Sequence, residues 1–219
     1  MVKRVALVHT VKSVLESFEP LLRAAVAGDL VVHNLLDEFL ASDPAETGVF
    51  SEVNKLRLAN DLRNAELTGA DLVVVTCSTL SPHVDALRPA FRATLVAIDD
   101  AMCRRAAATG RRVAVLATAR STIEPTTARL RSEARAAGRD LELLTFVADE
   151  AYVAIKRGER ARHDALVEEA ARAIEGCDLV VLAQASMAHL EGPVSAICGC
   201  PALSSPGLCV AEIKERLGS

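Results

Sequence analysis

The sequence predicts an α/β protein with parallel sheets covered by helices on both faces, built as two similar halves that face each other across a cleft. Three observations carry that reading. Short Val/Leu-rich runs alternate with longer amphipathic segments, the spacing of strand–helix–strand units. The runs are nearly continuously apolar, as strands buried on both faces are. The chain also repeats itself, with Arg4 aligning on Arg112 and Asp71 on Asp178.

The expected strands, in order, are 4–9 (RVALVH), 29–35 (DLVVHNL), 71–77 (DLVVVTC), 94–99 (TLVAID), 112–118 (RVAVLAT), 141–146 (LELLTF), 178–184 (DLVVLAQ) and the weaker 201–205 (PALSS). Apolar positions at helical spacing predict helices over 13–25, 52–68, 99–109, 121–137, 160–175 and 207–217. Ser121, Glu124 and Pro125 have the pattern of a capping box at the start of the fourth helix. The stretch 41–50 (ASDPAETGVF) reads as a loop, and no Pro/Ser/Gly-rich linker divides the chain.

The repeat is the most informative feature. RVALVHTVKS (4–13) lies over RVAVLATARS (112–121), with five of ten positions identical and an offset of 108 from Arg4 to Arg112. TGADLVVVTCST (68–79) lies over EGCDLVVLAQAS (175–186), with five identities and an offset of 107 from Asp71 to Asp178. LLDE (35–38) and VADE (147–150) match more loosely. Two segments whose offsets differ by a single residue point to duplication of a supersecondary unit.

Composition narrows the function classes. With 51% hydrophobic and 25% charged residues, the 219-residue chain has the material for a sizeable core. A net charge of −4 argues against nucleic acid, whose binding rests on basic patches. An aromatic content of 3% leaves little for base stacking. No apolar run reaches the ~18 residues that span a bilayer, so no membrane partner is expected. The apolar stretch after Met1 is too short for a signal peptide and is interrupted by His9. The expected location is therefore cytoplasmic, with the six cysteines as free thiols. Cys198 and Cys200 form a pair, but no second pair at zinc spacing accompanies it, so no metal site is expected.

In parallel sheets, ligands bind at the carboxyl ends of strands. The repeat places four clusters of small hydroxyl-bearing residues there. They are His9-Thr10-Val11-Lys12-Ser13, Thr76-Cys77-Ser78-Thr79, Ala117-Thr118-Ala119-Arg120-Ser121 and Ala183-Gln184-Ala185-Ser186. Each precedes an expected helix, so backbone N–H groups and hydroxyls would face a small anion, although helix capping alone explains any single one. Neither a Walker pattern nor GxGxxG occurs, which disfavours nucleotides and leaves a small carboxylate. Cys77 ends a buried strand and opens a Ser/Thr turn, a setting that favours the thiolate and suits a base or nucleophile. Cys103, Cys177 and Cys209 lack that context and read as structural.

VTCST after the third strand, the duplicated halves and LAQASM (182–187) together resemble the aspartate/glutamate/hydantoin racemase superfamily, over essentially the whole chain. The resemblance implies two flavodoxin-like (Rossmann-like) lobes related by pseudo-two-fold symmetry. It places lobe 1 at 1–98 plus 207–219 and lobe 2 at 99–206, with the last helix returning to lobe 1. It implies cofactor-independent chemistry in which one thiol from each lobe handles the proton α to a carboxylate. Relatives with altered thiols include arylmalonate decarboxylases, and two-thiol relatives include maleate isomerases. Small racemase-like proteins commonly assemble as dimers or larger homo-oligomers.

Cys77 falls on the first-lobe thiol, but Gln184 stands where the second cysteine is expected. An amide cannot take a proton from carbon. Either His9 serves as the second acid/base, or the reaction needs one donor, as in decarboxylation, or Cys77 adds covalently to a double bond. The alternative for His9 is an orienting role, and His189 is a weaker second candidate. Carboxylate binding is expected from Thr10, Thr76, Ser78, Thr79, Thr118, Arg120, Ser121 and Ser186, with Lys12 as the counterpart of Arg120. The recurring Asp37-Glu38 and Asp149-Glu150 read most simply as acids at helix N-termini. The expected activity is that of a racemase-like isomerase acting on a small acid or amino acid. The rivals are a one-thiol decarboxylase and a silent carboxylate-binding protein.

Overall fold

The computed structural model describes residues 2–218; Met1 and Ser219, at the ends of the expected lobe 1 range, lie outside the described residues. All eight expected strands form. They are β1 (Lys3–His9), β2 (Leu30–Leu36), β3 (Leu72–Val75), β4 (Thr94–Ala97), β5 (Arg112–Ala117), β6 (Glu142–Val147), β7 (Leu179–Leu182) and β8 (Ala202–Ser204). They build two four-stranded sheets, ordered β2-β1-β3-β4 and β6-β5-β7-β8, with every pairing parallel. Each half of the sequence therefore makes one sheet of the same strand order. The helices are α1 (Lys12–Ala25), α2 (Phe39–Thr47), α3 (Glu52–Glu66), α4 (Ser81–Leu87), α5 (Asp100–Thr109), α6 (Ile123–Ala136), α7 (Asp149–Lys156), α8 (Arg160–Ala171), α9 (Glu191–Cys198) and α10 (Ser205–Arg216). One compact unit runs to Ile98 and resumes at Pro206; the other spans Asp99 to Ser205.

Each sheet has its own core. In the first, Ala6 and Val8 of β1 and Val73 and Val75 of β3 pack with Leu58 and Leu62 of α3 and with Leu80 and Val84. In the second, Ala114, Leu116, Val180 and Leu182 pack with Val167 and Ala171 of α8, Met187 and Val194. β3 and β7, at inner positions, are buried at every residue, as their unbroken Val/Leu runs predict. β2 and β6 are edge strands and stay partly exposed, which their apolar composition did not reveal.

Residues shared by the two repeats make the same bond in both units. Asp71 Oδ2 accepts from the Arg4 backbone N–H at 2.9 Å, and the Asp71 N–H returns a bond to the Arg4 carbonyl at 2.8 Å. In the second unit Asp178 Oδ2 accepts from the N–H groups of Arg111 and Arg112, both at 2.8 Å, and the Asp178 N–H donates to the Arg112 carbonyl at 2.9 Å. These carboxylates fix the starts of β3 and β7 against β1 and β5. At Asp178, the two backbone bonds hold the carboxyl below its ordinary range.

Two local expectations are corrected. Segment 41–50 is mostly helix: α2 is anchored by buried Leu40 and closes on Gly48, whose φ of 76° forms a left-handed cap with its N–H on the Pro44 carbonyl at 2.9 Å. Pro44 forgoes one helical hydrogen bond without ending the helix. The expected capping box at Ser121 does not form. A 3₁₀ turn over Arg120–Thr122 comes first, and α6 starts after Thr122 with no side-chain cap. The box sits instead at α3, where the Ser51 hydroxyl accepts from the Asn54 N–H at 3.3 Å and Asn54 Oδ1 accepts from the Ser51 N–H at 2.9 Å.

Candidate active site

In each unit the two hydroxyl-rich clusters meet, because β1 pairs with β3 and β5 with β7 in parallel. The pairing Val8↔Val75, carried forward two residues, sets Thr10 beside Cys77. The pairing Leu116↔Leu182, carried forward likewise, sets Thr118 beside Gln184.

In the second unit that juxtaposition is closed. Gln184 Oε1 accepts from the Thr118 N–H at 2.6 Å, the Thr118 hydroxyl at 3.1 Å and the Ala119 N–H at 3.3 Å. Three donors on one oxygen fix the amide and turn its Nε2 away from them. The donor cluster at the end of β5 is thus filled by the protein's own carbonyl oxygen.

In the first unit the equivalent place holds a thiol. Cys77 is a free, half-buried cysteine with extended backbone (φ −128°, ψ 110°), packed against the first core. Its carbonyl accepts from the Leu80 N–H at 3.1 Å, opening a 3₁₀ turn over Ser78–Leu80. Thr10, the counterpart of Thr118, is only 3% exposed. Among the described residues, neither its N–H nor its hydroxyl has a hydrogen-bond partner. A thiol offers only a weak acceptor, so these donors are not consumed as Gln184 consumes theirs.

His9 lies fully buried under this corner. The Asn34 amide donates to the Glu19 carboxylate, which turns Asn34 Oδ1 toward His9 Nε2 at 3.1 Å. That contact requires a proton on Nε2. Burial pulls His9 below the ordinary histidine range, so the ring is neutral and Nδ1 accepts from the Thr76 hydroxyl at 2.8 Å. Burial works against the Glu19 charge, but hydrogen bonds from Arg23 and Asn34 hold that carboxyl below its usual range. The chain Glu19–Asn34–His9–Thr76 therefore ends one residue before Cys77. Both nitrogens of His9 are engaged by protein groups, the arrangement of an orienting histidine.

The remaining expected residues separate into two groups. Thr76, Ser78 and Thr118 are buried at strand ends and Thr79 is half-buried, whereas Arg120, Ser121 and Ser186 are exposed. Arg120 forms an ion pair with Asp149, and Lys12 lies 3.8 Å from Glu16 along α1. His189 Nε2 donates to Asp164 Oδ1 at 2.9 Å, on the same carboxylate oxygen that His163 Nδ1 meets at 2.7 Å. Asp37 accepts from the Phe39 N–H at 3.1 Å at the start of α2, and Asp149 and Glu150 lie in the first turn of α7. Among the described residues, no group of three His, Cys, Asp or Glu side chains is arranged to hold a metal ion. Among them, too, no helix is long and apolar enough to cross a membrane.

Comparison with known proteins follows the same lines. The family model described as Asp/Glu/Hydantoin racemase matches residues 7–213. The chain belongs to this family. A racemase-type protein is thus the frame for the site. Among solved structures, a glutamate racemase isoform from Bacillus anthracis superposes with a TM-score of 0.77 at 13% identity, over 99% of this chain and 82% of that one. An aspartate racemase from Picrophilus torridus gives 0.69 at 15% identity, over 99% and 94%. An allantoin racemase from Klebsiella pneumoniae gives 0.66 at 17% identity, over 99% and 88%. At these identities the structures establish the α/β fold of a racemase family member and leave its substrate open. No curated protein sequence matches the chain.

Proposed function

We propose that this racemase family member is a cofactor-independent, racemase-like isomerase that moves a proton at the carbon α to a carboxylate, with Cys77 as its acid/base. The observation that carries the reading is the contrast between the two strand ends. Beside Gln184 the donors of Thr118 and Ala119 are satisfied internally; beside Cys77 the donors of Thr10 are not. A substrate carboxylate takes the role at Thr10 that the Gln184 oxygen plays at Thr118. Its α-carbon then lies within reach of the thiol, and the donors stabilise the charge that grows on the carboxylate as the proton leaves. Ser78, Thr79 and Thr76 complete the hydroxyl-lined strand end. His9, through Thr76, acts as a positioning residue.

A second reading is favoured by Gln184 itself. With its oxygen consumed and no basic atom, Gln184 supplies no second proton acceptor. Chemistry that needs one proton donor, such as decarboxylation followed by protonation from Cys77, fits one thiol as well as racemisation does. A panel of amino acids, small hydroxy acids and 2-substituted malonates, incubated with the protein in D₂O and followed by NMR and chiral chromatography, separates the cases. Deuterium at the α-carbon with inversion supports the isomerase. Deuterium with CO₂ release supports the lyase. Binding with neither, unchanged in Cys77→Ser, would overturn both and leave a carboxylate-binding protein.

A further inference from the structure

Three cysteines of the second unit, outside the strand ends that carry Thr118 and Gln184, gather at the opposite, N-terminal edge of its sheet. Cys177 lies two residues before β7, Cys198 is the last residue of α9, and Cys200 lies two residues before β8. The pairing Val180↔Ala202 brings the segments that enter β7 and β8, carrying Cys177 and Cys200, side by side. The Val180 N–H on the Pro201 carbonyl at 2.9 Å shows that the strands are still paired next to this point. All three side chains are half-buried and pack against the same core. Gly199, at φ 65°, makes the left-handed turn that sends the chain from Cys198 back toward Cys200 and β8. Cys177 Sγ and Cys198 Sγ donate only long bonds, 3.7 Å to the Glu175 carbonyl and 3.5 Å to the Ala171 carbonyl.

We propose that this cluster is a thiol–disulfide site, in which Cys177 closes a bond to one of the two thiols flanking Gly199 under peroxide-type oxidants. The first thiolate attacks the peroxide, giving a sulfenic acid and one water; the second thiol displaces a second water as the S–S bond forms. Two thiols lose two electrons and two protons, and one peroxide is reduced to two waters. Adjacent strand ends are spaced close to the Cα separation that a disulfide spans.

Burial first, and the neighbouring thiols second, push Cys198 and Cys200 above the ordinary thiol range; burial does the same at Cys177, against the opposing pull of Arg112. The three are therefore mostly protonated near neutrality. The bond forms slowly at pH 7 and faster as the pH rises. It ties β7 to the α9–β8 corner, at the edge away from Gln184.

Mass mapping tests this on the whole protein. Cleavage after glutamate separates Cys177, between Glu175 and Glu191, from Cys198, Cys200 and Cys209, between Glu191 and Glu212, and a Cys209→Ser background removes the third thiol of that peptide. After treatment with hydrogen peroxide, the unreduced digest is expected to hold these two peptides as one species, which separates on reduction. The species is absent from Cys177→Ser. The oxidised wild type is expected to melt several degrees higher than the reduced form. A bond confined to Cys198–Cys200, intermolecular linkage only, or a fall in melting temperature on linkage would overturn the proposal.

Discussion

Gln184 accepts from three donors, two of them on a buried residue. Thr118, which supplies two of them, is 1% exposed. Gln184→Leu leaves these groups unsatisfied, and a loss of about 1–3 kcal/mol is expected by chemical denaturation. Gln184→Glu keeps an oxygen in place and is expected to lose less. Asp61 gives a pH-dependent counterpart in the first unit. Burial first, then the charge and hydrogen bond of Asp37, raise its carboxyl to about 6. Asp37 itself is held low, burial being outweighed by bonds from Arg57, whose Nε lies 2.8 Å from Oδ2. Below about pH 6, Asp61 thus carries a proton and donates it toward Asp37, while its Oδ2 is buried without a partner. A carboxyl raised in the folded state stabilises that state below its unfolded value near 4, and the contribution disappears as pH rises through about 6. His9, lowered by burial, acts in the opposite sense, with stability lost as pH falls below the usual histidine value. The difference between wild type and Asp61→Asn isolates the aspartate. Melting curves are expected to show the wild type losing stability relative to the variant between pH 4 and 6.

At the level of elements, α5 and α6 are joined by a buried ion pair, Arg129 with Asp100, whose side chains are 8% and 2% exposed. Truncating Arg129 breaks this buried pair, so Arg129→Ala is expected to cost about 3–5 kcal/mol in denaturant unfolding. Gly110 shows how tightly β5 starts. A Cβ there would overlap the Val113 side chain and crowd the Ala106 carbonyl, so Gly110→Ala is expected to destabilise by about 1–3 kcal/mol. Strands were legible because their Val/Leu runs are short and continuous, and all eight lie where those runs do. Helices α2 and α7 were not, and α4 and α9 were expected after their strand-end clusters but without bounds. Each has nine residues or fewer, too few for helical periodicity to emerge, and Asp43-Pro44 or Gly192-Pro193 reads locally as a break. Tertiary anchors such as Leu40 and Val194 hold them instead.

Across the whole chain, the repeat was readable because it preserves bonds as well as apolar character: Arg4 with Asp71 and Arg112 with Asp178 make matching brackets. The convergence of the hydroxyl-rich clusters at paired strand ends was legible, and with it the placement of Gln184 beside the residues after β5. What could not be read was the use of each group. Asn34 and Glu19, which set the tautomer of His9, come from an edge strand and a helix with no sequence pattern marking them. Nor does sequence say that an amide at 184 folds back on Thr118. Under the proposed reading, those contacts leave the chemistry to the first unit. The decisive measurement is α-proton exchange into D₂O on a turned-over substrate, in wild type and Cys77→Ser. The expected loss is about 10²–10⁴-fold, in kcat, with substrate binding retained. Exchange that persists at the wild-type rate in Cys77→Ser would contradict the assignment of the chemistry to this thiol.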